Sequence, residues 1–317
     1  MTTVDAAVVN RRSPKGAAFD PIFKYLCWTA ATALLAALSG IIVSLIIGGW
    51  PALHQFGLNF FTTSDWNPVT DVYGAEGPIV GTLVSAVLAL LISLPVAFGI
   101  AVFLVEFCPP AARRPIGVAV ELLAGVPSIV YGIWGLFIFA PFFAMHVQLP
   151  LMMAAPPGSI WEKLTQGVPN GVNIFTASIV LAIMILPYMA AVLRELFLTV
   201  PAQLRESGYG MGSTTLEVIM SVTLPYVRRS AVGAVMLGLG RALGETMAVT
   251  FIIGNSHNLP KSLFDSGSTI ASTIANEFNE ASGLHESALL ALGLVLFMIT
   301  FAVLAFARAM LGADKNA

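Results

Sequence analysis

Long stretches of the chain carry no Asp, Glu, Lys or Arg: 25–53, 77–105, 122–161, 164–193, 246–260 and 287–307. A helix crosses about 30 Å of hydrocarbon with about 20 apolar residues, each rising about 1.5 Å. The pattern predicts six spanning helices, at 25–47, 79–105, 117–142, 174–193, 231–253 and 287–308. The 144–172 stretch is also largely uncharged, but Pro150, Pro156, Pro157 and Pro169 mark it as a loop rather than a seventh span. The chain then divides into an N-terminal segment 1–24, a transmembrane domain 25–310 with a long loop at 194–230, and a tail 311–317. The fold class is all-α and polytopic.

Composition agrees. Of 317 residues, 57% are hydrophobic and 10% charged, where a soluble domain carries about 25% charged residues. With mean hydropathy +0.86, the chain is solvated mostly by lipid. Net charge of −2 leaves no basic footprint for nucleic acid. Cys27 and Cys108 form no CxxC pair. No lysine follows a glycine, so there is no P-loop and no ATP hydrolysis by that route.

The distribution of Lys and Arg sets orientation. With the N-terminus inside, Arg11, Arg12, Lys15, Lys24, Arg113, Arg114, Arg194, Arg205, Arg228, Arg229, Arg308 and Lys315 are cytoplasmic, and only Lys163 and Lys261 lie outside. That asymmetry predicts both termini in the cytoplasm. The outer segments are acidic, and Ile270, Ile274 and Phe278 suggest a short amphipathic helix there. All four histidines fall in outer segments, at spacings that give no reason to expect them to converge.

The loop 194–230 predicts two helices. Pro201 suits the start of one, Gly208, Gly210 and Gly212 break it, and Thr214 with Glu217 forms a capping box for a second, ending near Leu224-Pro225. The fifth span holds Arg241 and Glu245, and the third holds Glu121 near its inner end. Each such charge costs roughly 2.5–3.5 kcal/mol at a helix centre. At i, i+4, Arg241 and Glu245 can pair directly. They can also form a site for an anion, because guanidinium matches an oxyanion two bonds at a time. Glu245 would accept a hydrogen bond from phosphate, which still carries a proton at neutral pH. Gly240 and Gly244, with Gly233 and Gly238, predict a packed helix interface beside them. Interrupted helices and inverted repeats, which a stand-alone secondary transporter would need, are not evident.

Three motifs carry a family resemblance. Glu206-Ser207-Gly208, Gly212 and Val222-Thr223-Leu224-Pro225 have the spacing of the EAA, Gly, I-x-L-P loop of binding-protein-dependent ABC importer permeases, with ESG for EAA and Val for Ile. Gly240 to Ala248 resembles the GRALGETMA segment of phosphate-specific permeases of the PstC type. Gly125 to Gly132 resembles their G-V-P-S-x-x-Y-G segment. The resemblance implies a type I (MetI-like) importer permease in the bacterial inner membrane, passing inorganic phosphate inward by alternating access. Sulfate or molybdate is the competing cargo. It implies four further subunits: a second six-span permease (PstA-type), two ATPase subunits (PstB-type) and an external phosphate-binding protein (PstS-type). ATP and Mg belong to the ATPase subunits, with no cofactor or metal in this non-catalytic chain. It implies that Arg241 and Glu245 line the substrate path, with Glu121, Ser128 and Thr246 as weaker candidates. Glu206, Gly212, Leu224 and Pro225 would form the ATPase coupling element.

Overall fold

The computed structural model describes residues 19–313. Arg11, Arg12, Lys15 and Lys315, and with them most of the two terminal segments, lie outside the described residues. The first span is α1, Phe19–Phe56. It runs past Pro51 because the Ser287 hydroxyl takes the Ala52 N–H at 3.0 Å, replacing a bond the proline disturbs. A short α2 (Asn59–Thr62) leads to an antiparallel pair, β1 (Trp66–Asn67) and β2 (Val72–Tyr73), with Trp66 opposite Tyr73. The second span, α3 (Glu76–Val102), ends in a π-helical turn, Phe103–Phe107, closed by the Cys108 N–H on the Phe103 carbonyl at 2.7 Å.

The third span differs from the sequence expectation of 117–142. Residues Pro110–Ala124 form a separate helix, α4, and Gly125-Val126-Pro127 breaks the chain before α5 (Ser128–Trp134). The residue before a proline is pushed out of the helical region, so the break falls there. α4 instead lies on the inner end of the bundle, where Glu121 pairs with Arg194 at 2.8 Å. The span proper is Ser128–Ala154. It continues as α6 (Ala140–Phe143) and α7 (Leu149–Ala154), joined by π turns at Gly135–Phe139 and Ala144–Gln148. Those wider turns relax the hydrogen-bond register near Pro141 and Pro150, so residues 144–154, expected as loop, are helical. The rest of that stretch contains α8 (Ile160–Thr165). It is fastened by buried Gln148, which accepts from the Gly171 N–H at 3.1 Å and donates to the Val168 carbonyl at 2.9 Å.

The centre of the molecule is α9 (Ile174–Leu198), started by Asn173, whose side chain accepts from the Thr176 N–H at 2.8 Å. Leu181, Ile185, Met189 and Leu193 on α9 are buried against Ala86, Ala89, Ala97 and Ala101 of α3. Small residues on one helix let the large ones of its neighbour approach, as spans without a hydrophobic driving force require. After α9 come α10 (Ala202–Gly210), α11 (Thr215–Val218), a π turn (Ile219–Thr223), α12 (Leu224–Leu243) and α13 (Met247–Ile252). The outer amphipathic helix is present as α14 (Ile270–Glu277), with Ile270 buried and Ile274 packed against the bundle; Phe278, just beyond it, is exposed. The last span is α15 (Leu284–Ala313), against which Gly48 and Gly49 of α1 pack closely. Among the described residues five continuous helices are long and apolar enough to cross a membrane. The remaining expected span, 231–253, is the interrupted pair α12–α13.

Candidate functional site

α12 stops at Leu243, and Gly244, Glu245 and Thr246 are not helical. The break rearranges the expected pair. Arg241 and Glu245 no longer share a helix face, and among the described residues they form no ion pair. The Glu245 carboxylate instead accepts from the Ala248 N–H at 3.2 Å, satisfying one of the orphan donors at the start of α13. Arg241 is exposed on the surface of the single chain, and Glu245 and Thr246 are partly buried.

Depth follows from packing. A Cβ on Gly238 would lie 2.7 Å from the Met189 sulfur, so these residues are level. α12 leaves the hairpin at the inner end of α9 and returns antiparallel to it. Arg241, three residues on, lies about 4.5 Å farther out, close to the level of Leu186, the midpoint of α9. Arg241 and the break are therefore near the middle of the bundle.

The second break lies beside the first. A Cβ on Gly132 would meet Phe251 Cδ2 at 2.9 Å, Ala248 Cα at 3.1 Å and the Met247 carbonyl at 3.2 Å, and one on Gly135 would meet Ile252. Both contacts advance in the same chain direction, so α5 and α13 run parallel, with their N-termini at the same end. Ser128 begins α5 and Thr246 precedes α13, which brings these two candidates and Glu245 to one region. Glu121 is not part of it; its carboxylate is committed to Arg194 in the last turns of α9. Interrupted helices are thus present, contrary to the sequence expectation. Glycine is tolerated within spans, so hydropathy does not betray them. Of the expected glycine interface, only Gly238 is packed within this chain; a Cβ on Gly233 or Gly240 would meet nothing within 4 Å.

The hairpin between α9 and α12 keeps its expected capping box. The Glu217 N–H donates to Thr214 Oγ1 at 3.4 Å and the Thr214 N–H to Glu217 Oε2 at 2.7 Å. The Thr214 N–H and the Thr214 hydroxyl both donate to Glu217 Oε2, the latter at 2.9 Å, and together hold the Glu217 carboxyl below the usual range. Gly212 turns the chain with φ of +86°, a conformation that L side chains rarely adopt. The second arm does not end at Leu224-Pro225. Pro225 falls just after the π turn Ile219–Thr223, whose wider register accommodates its missing N–H, and helix runs from Thr215 to Leu243, about 40 Å. Glu206 and Tyr209 line a cavity of about 550 Å³ between the end of α9 and α10.

One outer cluster escaped the sequence reading. His257 and His285 converge on Glu277, with Nε2 atoms 3.0 and 2.8 Å from its two oxygens, and Trp66 Nε1 donates to the same carboxylate at 2.8 Å. Trp66 stacks on His257 and Tyr73 on His285. These groups come from four chain segments, and spacing along the chain carries no signal of their meeting. Burial would raise the Glu277 carboxyl, but bonds from His257, Trp66 and His285 outweigh it and hold it below the usual range.

Residues 108–311 match the family described as binding-protein-dependent transport system inner membrane component. The chain is 55% identical over 271 residues to the phosphate transport system permease protein PstC of Pasteurella multocida (strain Pm70), covering 86% of this chain and 85% of that one. It is 50% identical over 321 residues to the PstC protein of Mesorhizobium japonicum (strain LMG 29417 / CECT 9101 / MAFF 303099), covering 98% and 97%. In fold it resembles a chain of a bacterial alginate ABC transporter crystallised with its alginate pentasaccharide-bound periplasmic protein. The TM-score is 0.53 at 14% identity, over 92% of this chain and 96% of that one.

Proposed function

This chain belongs to the binding-protein-dependent transport system inner membrane components and, within them, to the PstC-type phosphate transport permeases, and we propose that Arg241 and Glu245 are where it receives phosphate during inward transport. It is a membrane permease and does not alter its cargo covalently. ATP hydrolysis, with Mg, is the work of separate ATPase subunits, and an external binding protein delivers phosphate to the outer face. Both termini lie in the cytoplasm.

The observation that carries this reading is the break at Gly244–Thr246 near mid-membrane. Discontinuous spans at that depth recur at substrate sites of transporters, because unwound backbone is tolerated only where it is covered by protein or lines a cavity. Arg241 is exposed at that depth in the single chain, and a guanidinium facing hydrocarbon is costly. A second six-span permease covers it, approaching over Gly233 and Gly240, where no side chain of this chain intervenes. One arginine is a sparse site for a dianion, so the second permease supplies another cationic group. One Glu245 oxygen caps α13, and the other accepts the proton that phosphate retains, which sulfate lacks. Ser128 and Thr246 add hydroxyls at the same level.

The hairpin of α10 and α11 is the ATPase contact, with Glu206 and Gly212 on it and Leu224 and Pro225 at the root of α12. Because helix continues from α11 into α12, a push on the hairpin reaches Arg241 through one rod. The test is Arg241→Gln in the assembled transporter. Phosphate uptake is expected to be abolished while the ATPase subunits still co-purify; normal uptake by that variant would sink the assignment.

A further inference from the structure

The first arm of the hairpin is held to the spans by a largely buried charge pair. Arg205 lies on α10 and Glu106 in the π turn at the inner end of α3; Nη1 stands 3.2 Å from Oε1, and the side chains are 19% and 10% exposed. The other terminal nitrogen, Nη2, donates to the carbonyl of Phe197 in the last turn of α9. Phe197 is buried, and its ring meets Phe98 of α3 edge to face at 5.5 Å. One guanidinium therefore joins α10 to α3 and α9 at once. A rigid planar fork suits two fixed acceptors in a way that a lysine ammonium does not. Exposed ion pairs contribute little, but removing one partner of a buried pair strands the other charge.

The two arms of the hairpin are attached differently. The second is continuous with α12 and so with the break beside Arg241. The first leaves α9 through residues 199–201, packs on the second arm where Gly208 faces Val218 and Val222, and is tied to α3 and α9 by Arg205. Without Arg205, α10 would be held by Pro201 and that packing alone, and part of a push on the hairpin would be spent in a swing of α10.

We propose that the Arg205–Glu106 pair is the fulcrum of the coupling hairpin, anchoring α10 to α3 and α9 so that ATPase movement is delivered into α12. Arg205 is then a positioning residue. The proposal rests on reading the hairpin as the ATPase contact.

The experiment uses the complete transporter in proteoliposomes and measures phosphate imported per ATP hydrolysed, with co-purification of the ATPase subunits. Three variants are compared: Glu106→Gln; the neutral pair Arg205→Met with Glu106→Gln, which strands no charge; and the swapped pair Arg205→Glu with Glu106→Arg. The neutral pair is expected to assemble and to hydrolyse ATP, yet to import about tenfold less phosphate per ATP, within the range of measured coupling effects. The swapped pair restores the charge pair between α10 and α3 but not the bond to the Phe197 carbonyl, and it is expected to recover part of that ratio. An unchanged ratio in the neutral pair, or no recovery on swapping, overturns the proposal, and it does so even if Glu106→Gln alone fails to fold. Glu206→Lys serves as the control for the underlying reading. If ATPase subunits still co-purify with that variant in normal amount, the hairpin contact itself is wrong, which is distinguishable from failure of the fulcrum alone.

Discussion

The packing of α5 on α13 sets the position of the broken span, and Gly132→Ala perturbs it with a calculable sign. The added methyl would stand 3.1 Å from Ala248 Cα and 3.2 Å from the Met247 carbonyl, against about 3.5–4.0 Å for a comfortable contact. Both obstacles are backbone atoms, so no rotamer change relieves them, and α13 must shift by about 0.3–0.9 Å relative to α5. Overpacking of this kind costs typically about 1–3 kcal/mol. Replacing a helical glycine by alanine returns roughly 0.5–1 kcal/mol of backbone entropy. The clash wins, and a net loss of about 1–2 kcal/mol is expected. Gly240→Ala is the internal comparison. Its Cβ meets nothing within 4 Å in this chain, so the same entropy gain is unopposed, and the isolated chain should be stabilised by about 0.5–1 kcal/mol. In the assembled transporter the sign is expected to reverse, because in the proposed assembly that methyl occupies the approach of the second permease. Thermal unfolding of the purified chain in detergent, followed by co-purification of the second permease, reads both. A Gly132→Ala chain as stable as the parent, or a Gly240→Ala chain that is less stable, would refute the reasoning.

Two further outcomes are expected. Gly212→Ala forces a side chain into the left-handed region at φ of +86°, costing about 1–2 kcal/mol, and faster amide exchange across Thr215–Val218 would register it; unchanged exchange would contradict the strained turn. The Glu277 carboxyl is held below its ordinary value of 4.5, so its contribution to the outer platform is present above about that pH and lost as pH falls through the lowered native value. Proteolysis of the outer loops should therefore rise on acidification below pH about 4.5 in the parent, and Glu277→Gln should flatten that dependence; equal pH profiles would contradict the role given to the carboxylate.

Local chemistry was legible in the chain. The apolar runs located α1, α3, α9 and α15, since partition into hydrocarbon is additive over neighbouring residues. Thr214 and Glu217 announced their capping box three residues apart, and Ile270 and Ile274 declared the buried side of α14. Gly125-Val126-Pro127 contained its own break, because a proline restricts the residue before it, yet hydropathy alone ran the span straight through. Pro150 misled in the opposite direction, because the π turn before it absorbed the proline and helix continued to Ala154.

Other features belong to the folded molecule. Gly244 reads as an ordinary small residue in an apolar run, and only the competition between continuing α12 and capping the Ala248 N–H turns Glu245 away from Arg241. His257, Glu277, His285 and Trp66 meet from four segments, and Arg205 finds Glu106 across 99 positions of chain. The sequence by itself determined which apolar segments are long enough to enter the membrane, the bounds of the third span and the break in the fifth apart, and which family motifs they carry, because those depend on residues within a turn or two of each other. The tertiary structure alone decided which distant charges are paired, as with Arg205 and Glu106 or Glu121 and Arg194, and at what depth Arg241 lies, because those depend on contacts between segments far apart in the chain.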